Sequence, residues 1–374
     1  MGKDTQTRAV AGQSSCDENG GNCRDISCIV PVHSRFEVLD RCLDALYGQS
    51  MEDEQYEVIL VANGVAERNR PEMEEVVGRW QGAFGERLQT VELPQASIPL
   101  ARNAGVRAAA GRLILQMNED TILTRPALEQ HVRTHEVLSH NPRCVLVGGR
   151  RFPESHRDSL FNNLYERVPL YTPLHKPGPI VQAPAKWFVT CNLSCPRESY
   201  ERFGLFDPTY DWGSDTELGL RWARQADLNL YVSTRIVSYH LHELSFDAWK
   251  RNCIRRARYS VRMDCGRWPE ELPPAGRADV ERQLGALRLD TDAFESEMRR
   301  IETEFTGPDE FGPVDFMGRR FGDFTEFCRS ARPAIMQFKN YLQLTEVRRL
   351  THGKAEGAAL AADATAPGGA THHG

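Results

Sequence analysis

Between residues 25 and 149, apolar positions recur in two alternating rhythms. ISCIVPV at 26–32 and YEVILVA at 56–62 are short, β-branched runs of the kind that form buried strands. After the first run, Phe36, Leu39, Cys42, Leu43 and Leu46 are spaced by threes and fours, which gives a helix one apolar face. A second helical stretch reaches about Trp80, and residues 88–93 predict a weaker strand. Residues 98–111 are rich in alanine and glycine and predict a helix whose small residues let it lie close against a sheet. The chain is organised around the next segment, RLILQMNEDT at 112–121, where an apolar run gives way abruptly to Asn118, Glu119 and Asp120. It predicts a buried strand ending in a polar cluster. A helix at 126–140 and a strand at 144–149 complete the alternation. Strand and helix in turn predict parallel strands joined by right-handed crossovers.

The rhythm changes after residue 149. Residues 168–184 are proline-rich and predict a mobile loop over the site. A helix is expected from Arg197, a glycine-bearing loop at 211–214 running into another helix, and a strand pair at 228–232 and 236–240. Residues 246–350 read as mainly helical, with Arg251, Arg255, Arg256, Arg258 and Arg262 gathered near their start. Residues 1–24 are polar and glycine-rich and 351–374 are Ala/Gly-rich, so both ends are expected to be disordered tails.

The 374 residues suffice for a large core, and a formal charge of −6 argues against a dedicated nucleic-acid partner. No apolar run approaches the roughly 18–20 residues of a membrane span, so no integral membrane segment and a cytoplasmic location are expected. Ten cysteines are scattered without paired C-x-x-C knuckles. Cys28, Cys42 and Cys144 fit as small core residues, and Cys16 and Cys23 as reduced thiols of the tail. No G-x-G-x-x-G follows a strand, which argues against a dinucleotide oxidoreductase.

Ligands of open α/β sheets bind beyond the carboxyl ends of the strands, so residues 118–120 are placed to grip a cation or a sugar-nucleotide. The competing reading is a solvated turn. If the chain stays extended there, Asn118 and Asp120 share one side and Glu119 faces the other. Arg102 near its helix start is a candidate anion contact.

These segments together resemble the family 2 glycosyltransferases, whose fold is GT-A. CIVPVHSR looks like their first strand and loop, and VILVANG like their second strand and turn. ARNAGVRAAAGRLILQMNED is similar to the segment leading to their DxD-type metal motif. GLFDPTYDWGSDTELGLR resembles their block around the catalytic aspartate, and RIVSYHLHE their closing strand with a histidine. The resemblance covers residues 25–245 and leaves the helical remainder outside. It implies an α/β fold of GT-A type, a Rossmann-like mixed sheet flanked by helices, with a mainly helical C-terminal extension. Residues 25–149 would form the nucleotide-sugar half and 150–245 the acceptor and catalytic half. Pro31, His33, Arg35, Asn63, Arg102, Asn118 and Glu119 would bind a nucleoside-diphosphate sugar. Trp212 and Gly213, with Asn192, would face an acceptor, either a small molecule, a natural-product intermediate or a peptide. Three positions depart from the pattern: Ala62 and Asn118 each replace an aspartate, and Ser214 a glutamate.

The chemistry of the residues supports the same roles. A leaving nucleoside diphosphate gains negative charge, which a divalent cation such as Mn2+ or Mg2+ stabilises. Asp120 is the best ligand for it, His240 the second, and His242 lies in reserve on the same alternating face. Arg102 and the group Arg255, Arg256 and Arg258 are candidate sources of positive charge for the diphosphate, the group alternatively a solvated helix face. Asp215 is the candidate general base of a single inverting displacement, and its competing role is a helix N-cap. A non-catalytic binding protein and a sugar nucleotidyltransferase are the alternatives.

Overall fold

A computed structural model describes residues 24–167 and 180–363, with side chains described as far as Thr351. The expected N-terminal tail, most of the proline-rich loop, Cys16 and Cys23 therefore lie outside the described residues.

The first half alternates as the apolar pattern requires. Strand β1 (Ile26–Val32), helix α1 (Phe36–Tyr47), β2 (Tyr56–Asn63), α2 (Arg70–Phe84), β3 (Leu88–Leu93), α3 (Ile98–Ala108) and β4 (Leu113–Met117) follow one another. β1, β2 and β4 are buried on both faces, as parallel strands sandwiched between helices should be. Helix α3 approaches closely because Gly105 has no side chain: a Cβ there would lie 2.3 Å from Ile29 Cγ2.

Next come β5 (Thr121–Leu123), α4 (Ala127–Val137), β6 (Cys144–Arg151), α5 (Leu160–Arg167), β7 (Val181–Ala183), β8 (Asn192–Pro196), α6 (Arg197–Phe203), α7 (Ser214–Ala226) and β9 (Asn229–His240). The sheet runs β3-β2-β1-β4-β8-β6-β9-β5, with β7 beside β9. Only β3-β2-β1-β4 form the expected parallel block. β8 inserts antiparallel between β4 and β6, so β6 leaves that block and pairs parallel with β9. The predicted strand pair at 228–240 is one strand. Its register against β6 shifts between Gly148 and Gly149, and residues 234–236 bulge out instead of turning the chain back.

The C-terminal part contains α8 (Phe246–Cys265), α9 (Pro274–Ala286), α10 (Thr291–Glu304), a hairpin of β10 (Val314–Phe316) and β11 (Arg319–Phe321), and α11 (Phe324–Asp363). Helix α11 continues past residue 350, where the helical region was expected to end. The boundary expected at 245 also divides a single core. Leu160, Phe161 and Leu164 of α5 pack with Leu244, with Phe246 and Trp249 of α8, and with Phe294, Phe327 and Phe338. The rings of Phe161 and Phe246 stack at 5.3 Å, and those of Phe294 and Phe338 at 4.5 Å. Helix α8 is thereby fixed against the sheet domain. Among the described residues, no helix is long and apolar enough to cross a membrane.

Candidate active site

β4 places the polar cluster. Just past Met117 the chain turns, with Thr121 N–H donating to Asn118 O at 3.1 Å, so the extended alternation expected at 118–120 does not hold. Glu119 and Asp120 instead converge on Arg35, at the start of α1. Arg35 Nε donates to Glu119 Oε1 at 3.1 Å, and its Nη2 donates to Asp120. Asn118 points elsewhere. β9 then brings in the histidine, because Thr121 pairs with His240 and Leu241 N–H donates to Asp120 O at 2.8 Å.

Asp120 Oδ1 lies 3.3 Å from His240 Nε2, is buried, and accepts no hydrogen bond. Burial works against ionisation of Asp120, but His240 and Arg35 outweigh it and hold the carboxyl below its usual range. Burial, then the charge of Asp120, push Glu119 upward against the pull of Arg35. Burial drives His240 down to about 4, so its imidazole is neutral near pH 7 and able to ligate. His242, with its ring 5.8 Å from that of His240, is lowered in the same direction, again chiefly by burial. Two adjacent ligands of a hard cation at ~2.1 Å stand about 3 Å apart, so the open Asp120 oxygen and His240 Nε2 fit a divalent ion. Among the described residues no three acidic, histidine or cysteine side chains form a complete cage. A cation here would need oxygens from a ligand or from water.

The remaining donor-side candidates fall into two groups. His33 is exposed, with its Nδ1 2.8 Å from Asn63 O, which ties the carboxyl ends of β1 and β2 together. Pro31 and Asn63 are buried, and Asn63 Oδ1 accepts from Ser97 N–H at 2.7 Å, so both shape the rim from within. Arg102 requires a correction. It is only 3% exposed and donates to Gln116 Oε1 at 3.0 Å, Met117 O at 3.1 Å and Asn118 Oδ1 at 2.7 Å. Its guanidinium is engaged in holding the end of β4.

Antiparallel pairing of β4 with β8 sets Met117 opposite Asn192, which puts residues 190–191 beside the acidic turn. Thr190 N–H lies 3.4 Å from Asp215 Oδ2, so Asp215 is drawn to the same edge of the sheet. Cys191 sits between them and feels the charges of both Asp215 and Asp120, although burial is what chiefly raises its thiol. The N-cap of α7 is Gly213 at φ +72°, a left-handed conformation that favours glycine. Asp215 therefore lies inside the first turn, and neither it nor Ser214 caps the helix. Trp212, half-buried, precedes this turn under the guanidinium of Arg255, 4.9 Å above its ring.

Asn192 does not line an acceptor pocket. It is fully buried, its Oδ1 2.8 Å from His131 Nε2 and its Nδ2 3.1 Å from Ile236 O. Residues overlooked from sequence include Arg150 at the end of β6, whose guanidinium lies 4.7 Å over the Tyr165 ring, and Phe152, 6.3 Å from the ring of His240. Arg150 ends a strand that carries a glycine pair, which was a usable signal. Tyr165 lies in a helix with no such mark.

The mixed sheet flanked by helices, with its helical C-terminal part, is a fold of the GT-A type. Among solved structures, the fold is similar to that of the mannosyltransferase PcManGT from Pyrobaculum calidifontis, solved in complex with GDP-Man and Mn2+. The TM-score is 0.51 at 17% identity, covering 87% of this chain and 86% of that one, and the likeness is one of fold alone. Residues 27–178 match the family model described as Glycosyl transferase family 2, so this part of the chain is similar to that family. A validoxylamine A glucosyltransferase of Streptomyces hygroscopicus subsp. limoneus is 26% identical over 219 residues, which span 52% of this chain and 47% of that protein. The glycosyltransferase AglE of Haloferax volcanii is 27% identical over 109 residues, 29% of this chain and 34% of that protein. The chain thus spans about half, or less, of the length of these relatives.

Proposed function

We propose that this chain transfers a sugar from a nucleoside-diphosphate sugar to an acceptor nucleophile, with inversion at the anomeric carbon. The observation that carries this reading is the convergence of the Asp120–His240 pair and Asp215 on one sheet edge through β4, β8 and Thr190. Asp120 and His240 would hold a divalent cation, which when bound neutralises charge growing on the leaving diphosphate. Arg35 keeps Glu119 and Asp120 together. The acceptor hydroxyl loses its proton to Asp215 Oδ2 as its oxygen bonds to the anomeric carbon and the carbon–phosphate-oxygen bond breaks. A positioned base contributes ~10²–10⁴-fold to such a step.

The test is a panel of nucleotide sugars incubated with Mn2+, with water as the surrogate acceptor. Release of nucleoside diphosphate is expected with at least one donor, and proton NMR should show the freed sugar first in the opposite anomeric form. Binding of donors without any release would make the chain a non-catalytic member of the fold. Release with retained configuration would exclude Asp215 as the base of a single displacement.

A further inference from the structure

Helix α8 carries three arginines toward the loop that bears Asp215, and they are not equivalent. Arg262 lies over Trp268 at 4.1 Å and over Tyr210 at 4.5 Å, and comes within 3.8 Å of Asp207. Arg258 lies over Trp268 at 4.8 Å and donates to Glu270 Oε1 at 2.7 Å. Both are neutralised locally. Arg255 is exposed, stacks 4.9 Å over Trp212, and forms no ion pair among the described residues. An arginine placed over an indole face is held by cation–π attraction and keeps its outer N–H donors available to a carboxylate or phosphate.

Helix α8 also touches the turn that carries the proposed base. A Cβ on Gly213 would lie 3.0 Å from Met263 Cε, so α8 is in van der Waals contact with the turn that leads into Asp215. On the other flank of α8, Lys339 is lowered first by burial and then by the charge of Arg256, with Lys186 adding to it.

We propose that Arg255, presented by Trp212, binds an anionic group of the acceptor, either a phosphate ester or a carboxylate, and that α8 thereby gives the helical region a part in acceptor choice. The proposal rests on the reading of Asp215 as the base, since that is what makes the Trp212 side of the cleft the acceptor side.

Phenylglyoxal modification of Arg255, followed by peptide mass mapping, tests it on the full chain. With a nucleoside diphosphate and Mg2+ present to fill the donor side, methyl phosphate or acetate raised to about ten times its Kd should slow the modification about tenfold. Chloride at matched ionic strength should not. Protection by methyl phosphate alone identifies a phosphate ester, and protection by acetate alone a carboxylate. Slowing by the nucleoside diphosphate alone would assign Arg255 to the donor, and no slowing by either anion would leave it a surface arginine; both outcomes overturn the proposal. Release of nucleoside diphosphate from donor sugars, and its loss in Asp215→Asn, are measured on the same preparations. Protection that persists while Asp215→Asn turns over normally removes the reading of the base and leaves an anion site, so the two failures are distinguishable.

Discussion

Asp120 shares one carboxylate oxygen with Arg35 and leaves the other, buried and unbonded, beside His240. Replacing Asp120 with Asn removes the charge a hard cation needs, so Mn2+ affinity measured by calorimetry should fall by about tenfold or more. Asn118→Asp should change it far less, because a carboxylate at 118 would face Arg102, whose Nη2 already lies 2.7 Å from Asn118 Oδ1. Equal Mn2+ affinity in wild type and Asp120→Asn would remove the metal assignment. Asp215→Asn is a separate test, nearly isosteric and still able to accept from Thr190 N–H. Its melting temperature and donor affinity should match wild type while kcat falls by about two orders of magnitude. A folded variant with nearly normal turnover would shift attention to Glu119.

At the scale of elements, the buried strands were legible because their apolar runs are uninterrupted and end sharply in polar residues. β1, β2 and β4 fall where the pattern put them. The expected strand pair splits β9 at residues 233–235, whereas Ser233 still pairs with Gly148 and residues 234–236 bulge before Val237 pairs with Gly149. Asn192 and Arg102 were also misassigned. Their partners, His131 for one and Gln116 and Asn118 for the other, are set by packing across the sheet, which local spacing does not encode. Arg102 now carries a revised expectation. Arg102→Met strips the end of β4 of its donors and leaves buried acceptors unpaired, a cost of ~1–3 kcal/mol for each. Its melting temperature should drop, and affinity for nucleoside and nucleoside diphosphate should weaken by similar factors. Selective loss of the diphosphate would show that the guanidinium reaches the ligand after all.

At the scale of the whole molecule, α4 is joined to the sheet through a neutral hydrogen-bond chain that makes the fold sensitive to acid. Asn192 Nδ2 donates to Ile236 O, so its Oδ1 accepts from His131 Nε2 at 2.8 Å. His131 Nδ1 must then accept from Ser194 Oγ at 2.8 Å, and Ser194 Oγ in turn accepts from His135 Nε2 at 2.9 Å. A proton added to His131 Nδ1 would meet a hydroxyl already donating to it. Burial lowers His131 to about 4 and His135 to about 3, from an ordinary value of 6.5. Because the folded values lie below the unfolded one, their contribution to stability is complete above pH 6.5. It diminishes as the pH falls and is gone below the folded values. For His131 alone the loss is on the order of 3 kcal/mol across that window. Wild-type melting temperature should therefore decline from pH 6.5 toward pH 4. His131→Gln, which does not titrate, should decline less over the same range, even if it starts lower at neutral pH. Carboxylates titrate in both proteins, so the difference between the two curves isolates the imidazole. Parallel curves would mean that His131 is already protonated, or reached by water, in the folded protein.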